Sequence, residues 1–84
     1  MAKIEVFTKF LCPYCSRAKS LLERKGVEYQ EIDLTMDRPG FDAMVERAGG
    51  ARTVPQIFID GKHVGGCDDI HALDAKGELD ALLA

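Results

Sequence analysis

Nowhere in the 84-residue sequence do more than two lysines or arginines stand in a row, so the basic stripe by which a protein grips nucleic acid is missing. The opening Met1-Ala2-Lys3-Ile4-Glu5-Val6 lacks the apolar run of a secretion signal, and no window approaches the length of a membrane span. Both lacks point to a cytoplasmic chain with no nucleic-acid or membrane partner. Repeats, low-complexity segments and linkers are absent as well, which leaves one domain over residues 1–84. Histidine is scarce: His63 and His71 both lie far along the chain from the first cysteines and read as surface or hairpin residues rather than catalysts.

What is present suits a small folded domain. Apolar residues make up 46% and charged residues 30%, enough for a compact core with a soluble surface rather than a disordered chain. The margin is thin, because a chain of this size buries only about 60–65% of the surface its unfolded form exposes. Fourteen acidic residues against eleven basic ones leave a formal charge of −3, an ordinary value. Three cysteines in a secreted domain would suggest one staple and an orphan. In a reducing compartment they read as a reactive pair and a spare thiol.

Along the chain, Lys3 to Thr8 is short, apolar and β-rich, a strand buried on both faces and central in its sheet. From Pro13 to about Lys25, Tyr14, Ala18, Leu21 and Leu22 form one apolar helical stripe, and Gly26 ends the helix. Val27 to Asp33 alternates apolar and polar, which predicts an edge strand and completes a right-handed βαβ unit. A turn-rich segment, 35–40, contains a capping aspartate and a proline. The helix after it carries Phe41, Met44, Val45 and Ala48 at i, i+3, i+4 and i+7 and stops at Gly49-Gly50. Asp60-Gly61 between Gln56–Ile59 and Lys62–Gly65 signals a two-residue hairpin. Cys67-Asp68-Asp69 opens a helix that halts near Gly77, and Leu79, Leu82 and Leu83 mark a short terminal one. The class is α/β, in the order β-α-β-α-β-β-α, with a four-stranded mixed sheet flanked by helices.

The chemistry centres on Cys12-Pro13-Tyr14-Cys15, where the first strand hands over to the first helix. Pro13 suits the first helical position, which places Cys12 at the N-cap. There the free backbone N–H groups and the positive end of the helix dipole favour a thiolate, lowering a cysteine pKa from about 8.5 to roughly 3.5–7.5. Cys12 is the candidate nucleophile. Cys15 lies on the same face one turn on, close enough for a small disulfide but more sheltered, and is the candidate resolving thiol. Such a pair can also be half of a zinc site or two unrelated core cysteines; the neighbouring βαβ pattern favours redox work.

Thr8-Lys9 ahead of Cys-Pro-Tyr-Cys, then Thr53-Val54-Pro55, then Gly65-Gly66-Cys67-Asp68-Asp69 resemble the glutaredoxins, most nearly their short bacterial dithiol class. The resemblance covers essentially the whole chain. It implies a thioredoxin-like fold and a glutathione-dependent thiol–disulfide oxidoreductase acting through Cys12 and Cys15 on protein disulfides and protein–glutathione mixed disulfides. No bound cofactor or metal is implied; glutathione is the reducing co-substrate. Disulfide-containing or glutathionylated proteins such as ribonucleotide reductase would be its partners, and the protein would act as a monomer.

By the same resemblance Lys9 contacts the glycyl carboxylate of glutathione and Tyr14 borders its groove. Val54-Pro55 would hold a cis bond, offering the Val54 backbone to the cysteinyl part as an added strand would, with Thr53 flanking. The residues themselves support an anion site at the start of the helix after Gly65-Gly66, where the free N–H groups of Cys67 and Asp68 could meet a carboxylate and Asp68 an ammonium. Asp68 and Asp69 can equally be plain helix caps. Cys67 is expected near the groove without a required step. The rival to an enzyme is a metal-binding module, with zinc on Cys12, Cys15, Cys67 and a histidine (Cys67 and His71 have Cys-x-x-x-His spacing), or a glutathione-ligated iron–sulfur cluster.

Overall fold

The structure, a computed structural model, describes residues 2–84. Its elements run β1 (Ile4–Thr8), α1 (Pro13–Arg24), β2 (Gln30–Asp33), α2 (Arg38–Arg47), β3 (Gln56–Ile59), β4 (Lys62–Gly65), α3 (Cys67–Ala75) and α4 (Leu79–Leu83). The strands form one mixed sheet in the order β2-β1-β3-β4. β1 pairs parallel to β2, Glu5 facing Gln30, and antiparallel to β3, Ile4 facing Ile59. β1 is central and β2 is an edge, as their patterns predicted.

Alternation along the strands splits the core in two. Ile4, Val6, Ile57 and Ile59 turn to one face and pack with Ala18, Leu21 and Leu22 of α1, Ile70 of α3 and Leu79 of α4. Phe7 and Phe58 turn to the other, against Leu34 and the Phe41, Met44 and Ala48 of α2. Fully buried side chains such as Leu22, Ile57 and Phe58 each contribute about 1.5–3 kcal/mol of hydrophobic stabilisation. Both layers share β1 and β3, so the sheet holds the two helical faces in register.

Three details differ from the sequence reading. β2 begins at Gln30 rather than Val27, because the Val27 N–H is spent on the carbonyl of Leu22 at the end of α1, while the Val27 and Tyr29 side chains still pack on the core. α2 begins three residues before Phe41: Asp37 caps it by accepting from the Gly40 N–H at 2.9 Å, and Pro39 sits in the first turn, where no N–H is needed. Tyr14 is not part of the buried stripe of α1; it is 54% exposed, and Cys15 takes the inward position.

Two turns need their glycines. Gly26 ends α1 in the left-handed region at φ 71°, and the Asp60-Gly61 hairpin turn has φ 53° and 80° at its two central residues. Among the described residues, no helix is long and apolar enough to cross a membrane.

Candidate active site

Cys12 occupies the N-cap of α1 in an extended conformation. Its Sγ accepts the Cys15 backbone N–H at 3.3 Å, and its thiol lies 3.7 Å from the carbonyl oxygen of Val54. The first contact is the helix-start donor anticipated from Pro13. Leu11 just before it adopts a left-handed φ of 53°, and the Phe10 N–H is moored to Thr35 Oγ1 at 2.7 Å. Thr35 is held in turn by the Asp33 carboxylate, whose pKa is lowered by the hydroxyl and backbone N–H of Thr35. The loop that delivers Cys12 is thereby tied to the end of β2.

All three cysteines are free thiols. Cys12 is partly exposed, whereas Cys15 is buried, with only 2% of its surface exposed. Burial, with the adjacent Cys12 adding to it, pushes the Cys15 thiol up to about 12. Burial also raises the Cys67 thiol. The outer thiol can be reached; the inner one is kept protonated.

Beside Cys12, across its contact with Val54, lies a groove of about 480 Å³ lined by Tyr14, Thr53, Val54, Pro55, Cys67 and Asp68. The Val54–Pro55 peptide bond is cis, as the resemblance implied. Gly66 lies where a Cβ would come within 3.2 Å of the Pro55 carbonyl oxygen, so glycine lets the start of α3 approach that loop. At that start Asp69, not Asp68, supplies the cap: its Oδ2 accepts the Gly66 N–H at 2.8 Å. A Cβ on Gly65 would collide with the Asp69 carboxylate. Asp68, one position earlier, is exposed beside the groove.

Lys9 stands apart from this groove. Its Nζ sits 4.1 Å from the centre of the Phe41 ring, in a neighbouring hollow shared with Arg52 and Thr35. The sequence reading missed Gln56 and His63, which also line the groove. Gln56 is 4% exposed; its Nε2 donates to the Thr53 carbonyl at 3.1 Å and to Thr53 Oγ1 at 3.2 Å, and its Oε1 accepts from His63 Nε2 at 2.6 Å. A glutamine heading an otherwise apolar strand directly after Pro55 was the available signal.

Among the described residues, no three His, Cys, Asp or Glu side chains gather closely enough to hold a metal ion. His71 does approach Cys67, with Nδ1 3.5 Å from the sulfur and 2.8 Å from its carbonyl oxygen, but the two stand as a pair.

The family model for glutaredoxin matches residues 4–64. The chain belongs to the glutaredoxin family. It is 57% identical over 82 residues to a probable glutaredoxin of Synechocystis sp., covering 98% of this chain and 93% of that protein. It is 54% identical over 83 residues to glutaredoxin 3 of Escherichia coli, covering 99% of each. Among solved structures, a buckwheat glutaredoxin–glutathione complex superposes with a TM-score of 0.88 at 40% identity, over 98% of this chain and 76% of that one. The solution structure of a glutaredoxin from Brucella melitensis gives 0.87 at 51% identity, over 99% and 89%. The fold is thus thioredoxin-like, and membership makes the protein a thiol–disulfide oxidoreductase working through a cysteine pair.

Proposed function

We propose that the protein is a glutathione-dependent reductase of protein disulfides and protein–glutathione mixed disulfides, with Cys12 as nucleophile and Cys15 as resolving thiol. The observation that carries this reading is the partly exposed sulfur at a helix start, backed by a buried protonated thiol, beside a groove whose far wall is a second helix start bearing Asp68. The likeness to a glutaredoxin solved as a glutathione complex supports it. So does the apolar rim of Phe10, Leu11 and Tyr14 around Cys12, which suits contact with protein substrates.

In deglutathionylation, the Cys12 thiolate attacks the glutathione sulfur of the mixed disulfide; the protein leaves as a thiolate and takes up a proton. A second glutathione thiolate attacks the sulfur of glutathione bound to Cys12, forming glutathione disulfide and restoring Cys12. With a protein disulfide, Cys12 forms the mixed disulfide and the Cys15 thiolate attacks the Cys12 sulfur. The protein is released reduced, and two glutathione molecules reduce the Cys12–Cys15 disulfide. The hydrogen bond and charge of Cys12 help keep Cys15 protonated, so their loss in the mixed disulfide makes Cys15 a better nucleophile when it is needed.

In the groove, the N–H groups of Cys67 and Asp68 receive the γ-glutamyl carboxylate and the Asp68 side chain its ammonium. Thr53, Val54 and Pro55 flank the cysteinyl part and Tyr14 covers it; the glycyl end extends out of the groove toward the neighbouring hollow, where Lys9 meets its carboxylate. The reading places the protein in the cytoplasm, acting as a monomer on partners such as ribonucleotide reductase. The test is turnover of a small glutathione mixed disulfide and of a protein disulfide by two variants. Cys12→Ser should lose both; Cys15→Ser should keep the first and lose the second. Equal loss in both variants contradicts the roles.

A further inference from the structure

We propose that Gln56 and His63 are positioning residues for the groove, forming a relay from His63 through Gln56 that holds the Thr53 hydroxyl with its proton aimed at the ligand. The inference rests on the glutathione reading above and adds how the site is kept in shape. Gln56 is buried in β3, and a buried amide left unpaired costs about 1–3 kcal/mol. Its orientation is dictated by chemistry. The Thr53 carbonyl can only accept, so the amide must present its NH₂ group there, at 3.1 Å. Oε1 therefore faces His63, whose Nε2 must carry a proton to make the 2.6 Å contact.

The same NH₂ group reaches Thr53 Oγ1 at 3.2 Å. Because Oγ1 is the acceptor in that bond, its own proton points elsewhere, and Thr53 is exposed where the groove passes. The residue thus offers an O–H donor to a carbonyl or carboxylate oxygen of an extended ligand. The relay is anchored at its far end: the His63 ring lies 5.0 Å from Phe58, a buried ring that packs edge-on against Phe7 at 5.6 Å. The contact with Phe58 therefore orients the imidazole, the imidazole orients the amide, and the amide orients Thr53.

Steady-state turnover of a small-thiol–glutathione mixed disulfide, with melting temperature measured alongside, tests this. His63→Phe keeps a ring on Phe58 and removes the N–H. It should raise KM about fivefold, the value of one ordinary hydrogen bond, with kcat and melting temperature little changed. His63→Gln, which restores an N–H at similar reach, should recover most of the loss. Thr53→Val should raise KM similarly, and adding His63→Phe to it should cost little more, since both act through one hydroxyl. An unchanged KM in His63→Phe, or fully additive losses in the double variant, overturns the relay while wild-type turnover stands. Absence of wild-type turnover instead overturns the glutathione reading, and the relay with it.

Discussion

The sharpest quantitative expectation concerns Cys15. Its pKa is raised from an ordinary 9.0 to about 12, first by burial, then by the hydrogen bond and charge of Cys12, with the Lys9 backbone and Lys19 opposing. At pH 7 an ordinary thiol of this kind is ionised to about one part in a hundred, and Cys15 to about one in a hundred thousand. Only the thiolate alkylates, so iodoacetamide should modify Cys15 about a thousandfold more slowly than an unstructured cysteine, before any shielding by burial. Peptide mapping by mass spectrometry after timed exposure reads this directly. Cys12→Ser separates the causes. It removes the charge and thiol of Cys12 but leaves the burial, so Cys15 should then titrate below about 12 and still above 9.0, followed by thiolate absorbance. A Cys15 that titrates at or below 9.0 in that variant would show that burial is not the leading cause. Alkylation of wild-type Cys15 at the rate of a free peptide would refute the sheltered-thiol account altogether.

The other expectations follow from the same geometry. Asp69→Ala removes the cap on Gly66 and should cost about 1 kcal/mol, lowering the melting temperature by roughly 4–8 °C, while Asp68→Ala should leave melting unchanged and raise KM for glutathione; a reversed pattern would exchange their roles. Alkali should destabilise the protein. Cys15 and Tyr29 both titrate higher folded than unfolded, each to about 12, Tyr29 through burial and its 2.8 Å bond to Glu23. Each acid therefore holds its proton longer when folded, so the stability it contributes is complete below its unfolded value, 9.0 or 10.0, and is lost as pH rises toward about 12. Chemical denaturation in steps from pH 8 to 11 should show a falling midpoint, less steep in Cys15→Ala, and a flat profile would contradict the shifts.

Much of the fold was legible because strong local signals agreed. Pro13 after Cys12, the i, i+3, i+4, i+7 spacing of Phe41 to Ala48, and Asp60-Gly61 each specify an element without help from distant residues. The boundaries that moved were set by contacts between elements: the claim of Leu22 on the Val27 N–H shortened β2, and Asp37 drew α2 forward over Pro39. Tyr14 misled because Cys15, not an aromatic, turned out to be the inward residue of that first turn. In the site, Cys12, Cys15 and the three motifs stood out by type and spacing. Gln56 and His63 did not, because their bond joins two strands across a hairpin and neither residue type announces it. Nor could adjacency in sequence say which of Asp68 and Asp69 would cap the helix.

That last division of labour has a consequence for how the protein can change. Two neighbouring carboxylates, alike on paper, answer to different demands, one to the architecture and the other to what the surface meets. Selectivity at position 68 is therefore free to be retuned by single substitutions without jeopardising the scaffold, whereas Gly65 is held to glycine both by its left-handed backbone and by the Asp69 carboxylate that fills the space a side chain would need.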